Sequence, residues 1–185
     1  MDAMEQTWRL DQSDGRLTIH TGVEGPAAKM GHRLDIAMNS WHADVEWSGS
    51  EPVRARLTVD VDSLEVVSGE GGVTPLTPPE KLLARANAVK TLDRKRFPQI
   101  EFDAAAIERT QTGYRLTGTV QIHGKTRDSV VDLNVEESGG SWHMSADVQI
   151  RQSDFGVKPY SMLMGAMRVA DAVTVSFTAD RAKDR

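Results

Sequence analysis

Four consecutive runs between Pro98 and Ile150 alternate apolar and polar residues with period two, and they constrain the fold more than any other stretch. Ile100, Phe102, Ala104 and Ala106 share one parity, as do Tyr114, Leu116, Val120 and Ile122 in the next run. Val131, Leu133 and Val135 follow, then Trp142, Met144, Ala146, Val148 and Ile150. Successive side chains of a strand point to opposite faces, so each run has one apolar face and one wet face. Gln111-Thr112-Gly113, His123-Gly124-Lys125 and Ser138-Gly139-Gly140-Ser141 separate the runs. Short breaks of this kind make hairpins, and successive hairpins make an antiparallel meander. An apolar face on every strand must be buried, either against a second sheet or by curling into a barrel.

The N-terminal half carries the same signal with interruptions. Trp8 and Leu10 form a short alternation, Asp11 to Gly15 reads as a turn, and Leu17 and Ile19 mark a strand. Gly22 to Gly31 reads as a loop across one end of the fold. His32, Leu34, Ile36 and Met38 share a parity that changes after Asn39-Ser40, where Trp41, Ala43, Val45 and Trp47 take over. An unbroken strand keeps its parity, so this spacing predicts a hairpin, with a strong bend as the alternative. Val53, Ala55, Leu57, Val59 and Val61 predict a long strand, and Ser68 to Thr74 a glycine-rich loop.

The period then changes. Thr77-Pro78-Pro79-Glu80 has the form of a capped helix start. Leu82, Leu83, Ala86, Val89 and Leu92 follow at helical spacing, and Pro98 bars continuation. Val173, Val175, Phe177 and Ala179 predict a last strand, with a polar tail from Asp180. The expected architecture is one domain over residues 1–185, all-β with one helix, of about eight strands. A barrel of that size either fills its interior with side chains or holds one small ligand.

Composition narrows the chemistry. There is no cysteine, which removes disulfides, thiolate metal sites and thiol nucleophiles. A net charge of -5 argues against nucleic acid as a partner. Met1 to Leu10 lacks the basic start and apolar core of a secretory signal, so the sequence reads as cytoplasmic. His20, His42, His123 and His143 fall on the polar side of their strands, where no shared metal site is expected. The carboxylates point outward, no nucleophile elbow or phosphate loop occurs, and no cofactor is expected. His32 differs, because it shares parity with Leu34 and points inward at a strand start. It reads either as a rim histidine bonded to backbone or as a contact for the polar end of a ligand. Arg94-Lys95-Arg96 is the one basic cluster. Cations complement the C-terminal end of a helix, and the alternative is an anion or head-group site. Met162, Leu163, Met164 and Met167 fit no strand and suit a plug or adaptable lid over an apolar interior.

Four segments together resemble the YceI-like, lipid- or polyisoprenoid-binding family. They are Gly31-His32-Arg33-Leu34, the run from Phe97 to Phe102, the run from Leu116 to Arg127, and Ser153-Asp154-Phe155-Gly156-Val157. The resemblance covers nearly the whole chain in the right order. It implies an extended lipocalin-like antiparallel β-barrel holding a long isoprenoid chain, such as a polyprenyl phosphate or a quinone tail. Many members carry a secretion signal, and many have an aromatic-rich segment where this chain has Arg85-Ala86-Asn87-Ala88-Val89.

Combined with parity, the resemblance assigns the ligand contacts. They are His32, Leu34, Ile36 and Met38, then Leu57, Val59 and Phe102, then Leu116, Val120 and Ile122. Met144, Val148 and Phe177 complete the strands, and Phe155, Tyr160, Met162 and Met164 the lid. His32, Arg94, Lys95 and Arg96 are the expected head-group contacts. Each buried CH₂ is worth about 0.8 kcal/mol, so ten buried carbons give roughly 8 kcal/mol, near micromolar before ordering costs. The expected function is therefore non-catalytic binding, sequestration or transport of an isoprenoid, quinone or similar lipid. The competing readings are a small enzyme with His32 as base, or a filled barrel acting as an interaction module. A homodimer through an edge strand or the Met162–Met167 segment is a further expectation.

Overall fold

The alternation from Pro98 to Ile150 folds as four antiparallel strands in sequence order, and the rest of the chain extends that sheet on both sides. The computed structural model describes residues 5–183. Its strands are β1 (Glu5–Asp11), β2 (Gly15–His20), β3 (Val23–Glu24), β4 (His32–Met38), β5 (Trp41–Ser48), β6 (Glu51–Asp60) and β7 (Leu64–Gly71). Helix α1 (Pro78–Thr91) follows. After it come β8 (Gln99–Arg109), β9 (Gly113–Ile122), β10 (Lys125–Ser138), β11 (Ser141–Arg151), β12 (Ser161–Met162), β13 (Met167–Val169) and β14 (Ala172–Ala182). Met1 to Met4 of the N-terminal stretch, and residues 184–185 of the polar tail, lie outside the described residues.

Eleven strands form one antiparallel sheet in the order β1-β5-β6-β8-β9-β10-β11-β14-β2-β4-β7. The sheet is curled into a half-barrel of lipocalin-like form. Its strand number exceeds the expected eight. Part of the surplus is β7, whose Leu64 and Val66 are buried while its glycine-bearing end reads in sequence as a loop. β12, β13 and β3 form a separate three-stranded sheet. It joins the segment before β14 to the link between β2 and β4, at the end of the half-barrel where those strands meet.

The parity change at Asn39-Ser40 is a bend, and the expected hairpin does not form. β4 pairs with β2 and β7, whereas β5 pairs with β1 and β6. The turn therefore carries the chain from one end of the sheet to the other. The β1–β2 and β6–β7 connections do the same. The corners rest on one another: Asp60 N–H donates to the Ser40 carbonyl at 2.9 Å, and Asn39 N–H to the Ser63 carbonyl at 3.3 Å. Bends of this kind curl the sheet without closing it by ladder hydrogen bonds.

Two bulges reset the inward parity. β8 and β9 pair Ala104 with Gly118 but Ala106 with Thr117, so Ala105 is the extra residue. Ala106, inward by its sequence parity, is consequently exposed, and Ile107 sits opposite Leu116. On β6 the register jumps from Arg54 to Pro52, which leaves Val53 exposed and Pro52 buried. At Gly118 a Cβ would lie 1.9 Å from the Asp103 carbonyl oxygen, so only glycine allows the two strands their approach there.

The main core cluster holds Leu10, Leu17, Ile36, Met38, Trp41 and Val59, with Leu64, Val66 and Met144. Trp41 is 3% exposed and meets Phe177 edge-on at 5.4 Å between ring centroids. Trp8 and Trp47 meet at 4.5 Å between ring centroids with their planes tilted by 44°, and the Arg181 guanidinium lies 4.4 Å above Trp8. Trp142, inward by its sequence parity, is only half-buried and lies beneath the Lys183 ammonium.

Helix α1 begins as the sequence predicts. The Thr77 hydroxyl accepts from Glu80 N–H at 3.4 Å and donates to the Glu80 carboxylate at 2.9 Å. Its buried face differs from the predicted one. Val89 and Leu92 face the core as expected, but Leu82 and Leu83 are 70% and 60% exposed, Ala86 is exposed too, and Ala84 and Ala88 face the core in their place. Arg85 fixes this rotation by donating to the Leu64 carbonyl at 2.8 Å and the Asp62 carbonyl at 2.7 Å. The helix thereby lies against edge strand β7 and caps its Leu64 carbonyl.

On the outer face, Arg54 of β6 bonds both oxygens of Asp103 on β8, at 3.1 and 2.8 Å. Hydrogen bonding to Arg54, with Arg56 adding charge, holds the Asp103 carboxyl below the ordinary carboxylate range. A depressed folded-state pKa contributes stability above the unfolded value of about 3.9 and loses it as pH falls through the folded value. Asp103→Asn should therefore lower the thermal midpoint slightly at neutral pH. The gap to wild type should close as the melts are taken to about pH 3 or below. A gap that persists in acid would assign the cost to lost packing. The effect is small because the pair is more than a third exposed.

Candidate functional site

The curl of the sheet leaves space that the side chains do not fill. A cavity of about 710 Å³ runs along its concave face, within the roughly 300–1,000 Å³ of small-molecule sites. Inward residues of the large sheet make most of its wall. The core-facing side of α1 and the chain between β11 and β14 make the remainder. The barrel is hollow, against the filled-barrel alternative.

β4 brings His32, Leu34, Ile36 and Met38 onto one wall. Leu57, Val59 and Phe102 line it from β6 and β8, and Leu116, Val120 and Ile122 from β9. Met144 and Val148 of β11 face in beside Phe177 of β14. Phe155, Tyr160 and Met162 reach the wall from the irregular segment. These sixteen residues assigned from sequence thus share one cavity. The seventeenth, Met164, does not. It sits at the tip of the β12–β13 hairpin with φ 56° and a fully exposed side chain. Position within an apolar cluster of an irregular segment carries no facing information, so sequence alone does not separate Met164 from Met162.

The basic cluster is also separate from the cavity. Arg94 pairs with Asp62, and Arg96 lies 3.6 Å from Asp93 with its guanidinium over Phe97. Lys95 is exposed. None of the three is on the cavity wall, so the expected head-group contact through Arg94, Lys95 and Arg96 has no geometric support. Their place after a helix C-terminus, beside acidic neighbours, accounts for them.

His32 is at the wall. Its Nε2 lies 2.7 Å from the Thr74 carbonyl oxygen. A carbonyl only accepts, so Nε2 carries the proton and donates. Among the described residues no carboxylate bonds this ring, in contrast to His20 and His143, which pair with Asp35 and Asp180 at 2.6 Å each. Thr74, Glu80, Asn87 and Arg168 are further polar residues on the wall.

Sequence reasoning missed several wall residues. Ile19, Val131 and Val175 obey the same parity rule and are legible by it. Ala84 and Ala88 are hidden in a helix where small residues as well as Leu83 and Leu92 reach the wall. Met167 packs where Gly31 gives it room, since a Cβ on Gly31 would fall 2.7 Å from the Met167 sulfur. No sequence signal announces that contact.

An antiparallel half-barrel around an apolar cavity defines a lipocalin-like class of protein. The YceI-like domain model matches residues 8–180, and the chain belongs to that family. Among solved structures it is similar to BcnA of Burkholderia cenocepacia, with 20% identity and a TM-score of 0.68 over 94% of this chain and 99% of that one. It is also similar to the YCEI protein of Campylobacter jejuni, at 14% identity and a TM-score of 0.60, over 80% of this chain and 83% of that one. A mutant of the latter crystallised with a monobromobimane guest gives 15% identity and a TM-score of 0.60, over the same shares. These likenesses establish a shared fold. No curated protein matches the chain. No helix among the described residues is long and apolar enough to cross a membrane.

Proposed function

We propose that this protein binds one long apolar molecule, an isoprenoid or similar lipid chain, inside the half-barrel without chemically altering it. The observation that carries this reading is the cavity itself: about 710 Å³ walled by aliphatic, methionine and phenylalanine side chains from nearly every long strand. A methylene is about the size of a water molecule, whose share of liquid is ≈ 30 Å³, so the space suits on the order of twenty chain carbons. Family membership supports the same ligand class. Catalysis is not needed for this function, and His32, held through a backbone carbonyl, lacks the orienting carboxylate that a general base would use. In this reading the sixteen wall residues from His32 to Phe177 contact the chain. His32, Thr74, Glu80, Asn87 and Arg168 meet whatever polar end the lipid carries.

The direct test is mass spectrometry of an organic-solvent extract of the purified protein, against a mock purification. A stoichiometric isoprenoid or fatty chain is the expected result. A clean extract, together with no uptake of added polyprenyl lipids or quinones, would remove the proposal and leave the family likeness as fold alone.

A further inference from the structure

Eleven large apolar side chains are exposed among the described residues, and eight of them either line the cavity wall themselves or lie within two residues of one of the eleven that does. Met30 precedes β4, Val73 follows β7, and Leu82 and Leu83 lie in the first turns of α1. Tyr160, Met162, Leu163 and Met164 belong to the β12–β13 hairpin and its approach. The other three, Val53, Val67 and Val130, are scattered on strand faces, as single exposed residues normally are. A gathered set is different, because contiguous exposed apolar surface marks a place of contact.

This set surrounds the mouth of the cavity. Met30, Val73, Leu83, Tyr160 and Met162 are exposed and also line the cavity wall. Apolar surface therefore continues from the interior to the outside, with His32, Thr74 and Glu80 as polar residues beside it. Three of the four segments are tied together: β3 pairs with β13, β13 with β12, and His32 bonds the Thr74 carbonyl beside Val73. At the hairpin tip, Leu163 and Met164 have φ 53° and 56°, a left-handed conformation that L-residues adopt rarely. That backbone holds the Met164 side chain in solvent, fully exposed among the described residues.

The charges beside these residues are not those of the chain as a whole, which carries -5. Lys29 adjoins Met30, Lys81 adjoins Leu82, and Lys158 lies two residues before Tyr160. None of the three has an ion-pair partner among the described residues, and the acidic residue beside them, Glu80, bonds Thr77. The nearby Glu24 and Glu70 face Arg168 and Arg33 at 3.4 and 3.8 Å.

We infer that this face seats on a phospholipid bilayer bearing anionic head groups, so that the cavity mouth opens into the lipid. The inference rests on the lipid-binding reading above, because a bilayer is the phase in which such a cargo resides. Apolar side chains enter the interfacial layer while lysines meet the head groups, the arrangement by which proteins lie on a membrane without spanning it. Cargo then passes from bilayer to cavity along continuous apolar surface, without crossing water.

The test is flotation of the full chain with vesicles of phosphatidylcholine, with and without phosphatidylglycerol. Wild type should float with the anionic vesicles and release in high salt. Met164→Asp should reduce the bound fraction by about tenfold or more, the scale of withdrawing one large apolar side chain and inserting a charge. Met164 is off the cavity wall, so uptake of a fluorescent fatty-acid probe added from solvent should not change. Absence of wild-type flotation, or equal flotation of Met164→Asp, would overturn the inference. So would a variant that only converts a dimer to a monomer on gel filtration, since the face would then meet a second copy of this chain. Loss of probe uptake by wild type, with flotation intact, would instead remove the lipid-cargo reading and leave the docking surface.

Discussion

Ala146→Trp should abolish uptake of apolar ligands while the sheet stays folded. Ala146 lies in β11, is 7% exposed, and stands opposite Phe177 on the cavity wall. Its neighbours on the same face, Met144 and Val148, line the same space. An indole placed there has somewhere to go, because the cavity is open where a packed core would be full. Overpacking a filled core costs about 1–3 kcal/mol, and this site should cost no more than that. The ligand loses the volume the indole takes, together with the contacts along that wall. Affinity for a fluorescent apolar probe should fall by roughly 100-fold or more, about 2.7 kcal/mol. Val130→Trp, on the outer face of β10, is the control and should bind as wild type does. A folded Ala146→Trp protein that still takes up the probe would show that the binding site is not the interior.

The largest loss of stability should come from Trp41→Ala. Trp41 joins β5 to the core through Phe177, with Leu17, Ile36 and Val59 in the same cluster. Truncating a buried tryptophan typically costs about 3–5 kcal/mol. For a chain of this size, that lowers the thermal midpoint by on the order of 10 °C. Trp41→Phe should retain most of the stability. The indole N–H of Trp41 is buried and no described protein atom accepts from it. Phenylalanine keeps an aromatic ring against Phe177 and removes that unpaired donor, so two opposing changes partly cancel. Equal melts for the two variants would show that an aromatic ring against Phe177 is not what stabilises this position.

The strands of the meander were legible because period two is a local signal and every turn between Pro98 and Ile150 is short. The pairing of the N-terminal strands was not. A parity change at Asn39-Ser40 is the same in sequence whether the chain doubles back or swings to the opposite edge, and only β2 and β7 decide it. The bulges at Ala105 and Val53 are equally silent, because an inserted residue does not alter composition. Most of the cavity wall followed from parity, since inward-facing and cavity-facing coincide when a sheet is curled. The helix contribution followed only in part: Val89 and Leu92 face inward as their spacing predicts, whereas Ala84 and Ala88 were not foreseen. Leu82 and Leu83 carry the greater hydrophobicity, yet Arg85, bonded to the Leu64 carbonyl, sets which face turns inward. The Arg94 cluster was misleading because its acidic partner, Asp62, is distant in sequence.

The order of strands in the sheet also dictates an order of assembly. β8 to β11 pair with their immediate neighbours in sequence and can form as soon as they leave the ribosome. β2, β4 and β7 form a separate group, joined to the rest of the sheet by ladder hydrogen bonds only through β14. Those early strands must therefore wait, with their apolar faces unsheltered, for the last strand in the sequence. A chain interrupted before β14 would hold two incomplete sheets and no enclosed cavity. Such fragments would be candidates for chaperones and proteases, and the cavity exists only after β14 has joined the two halves.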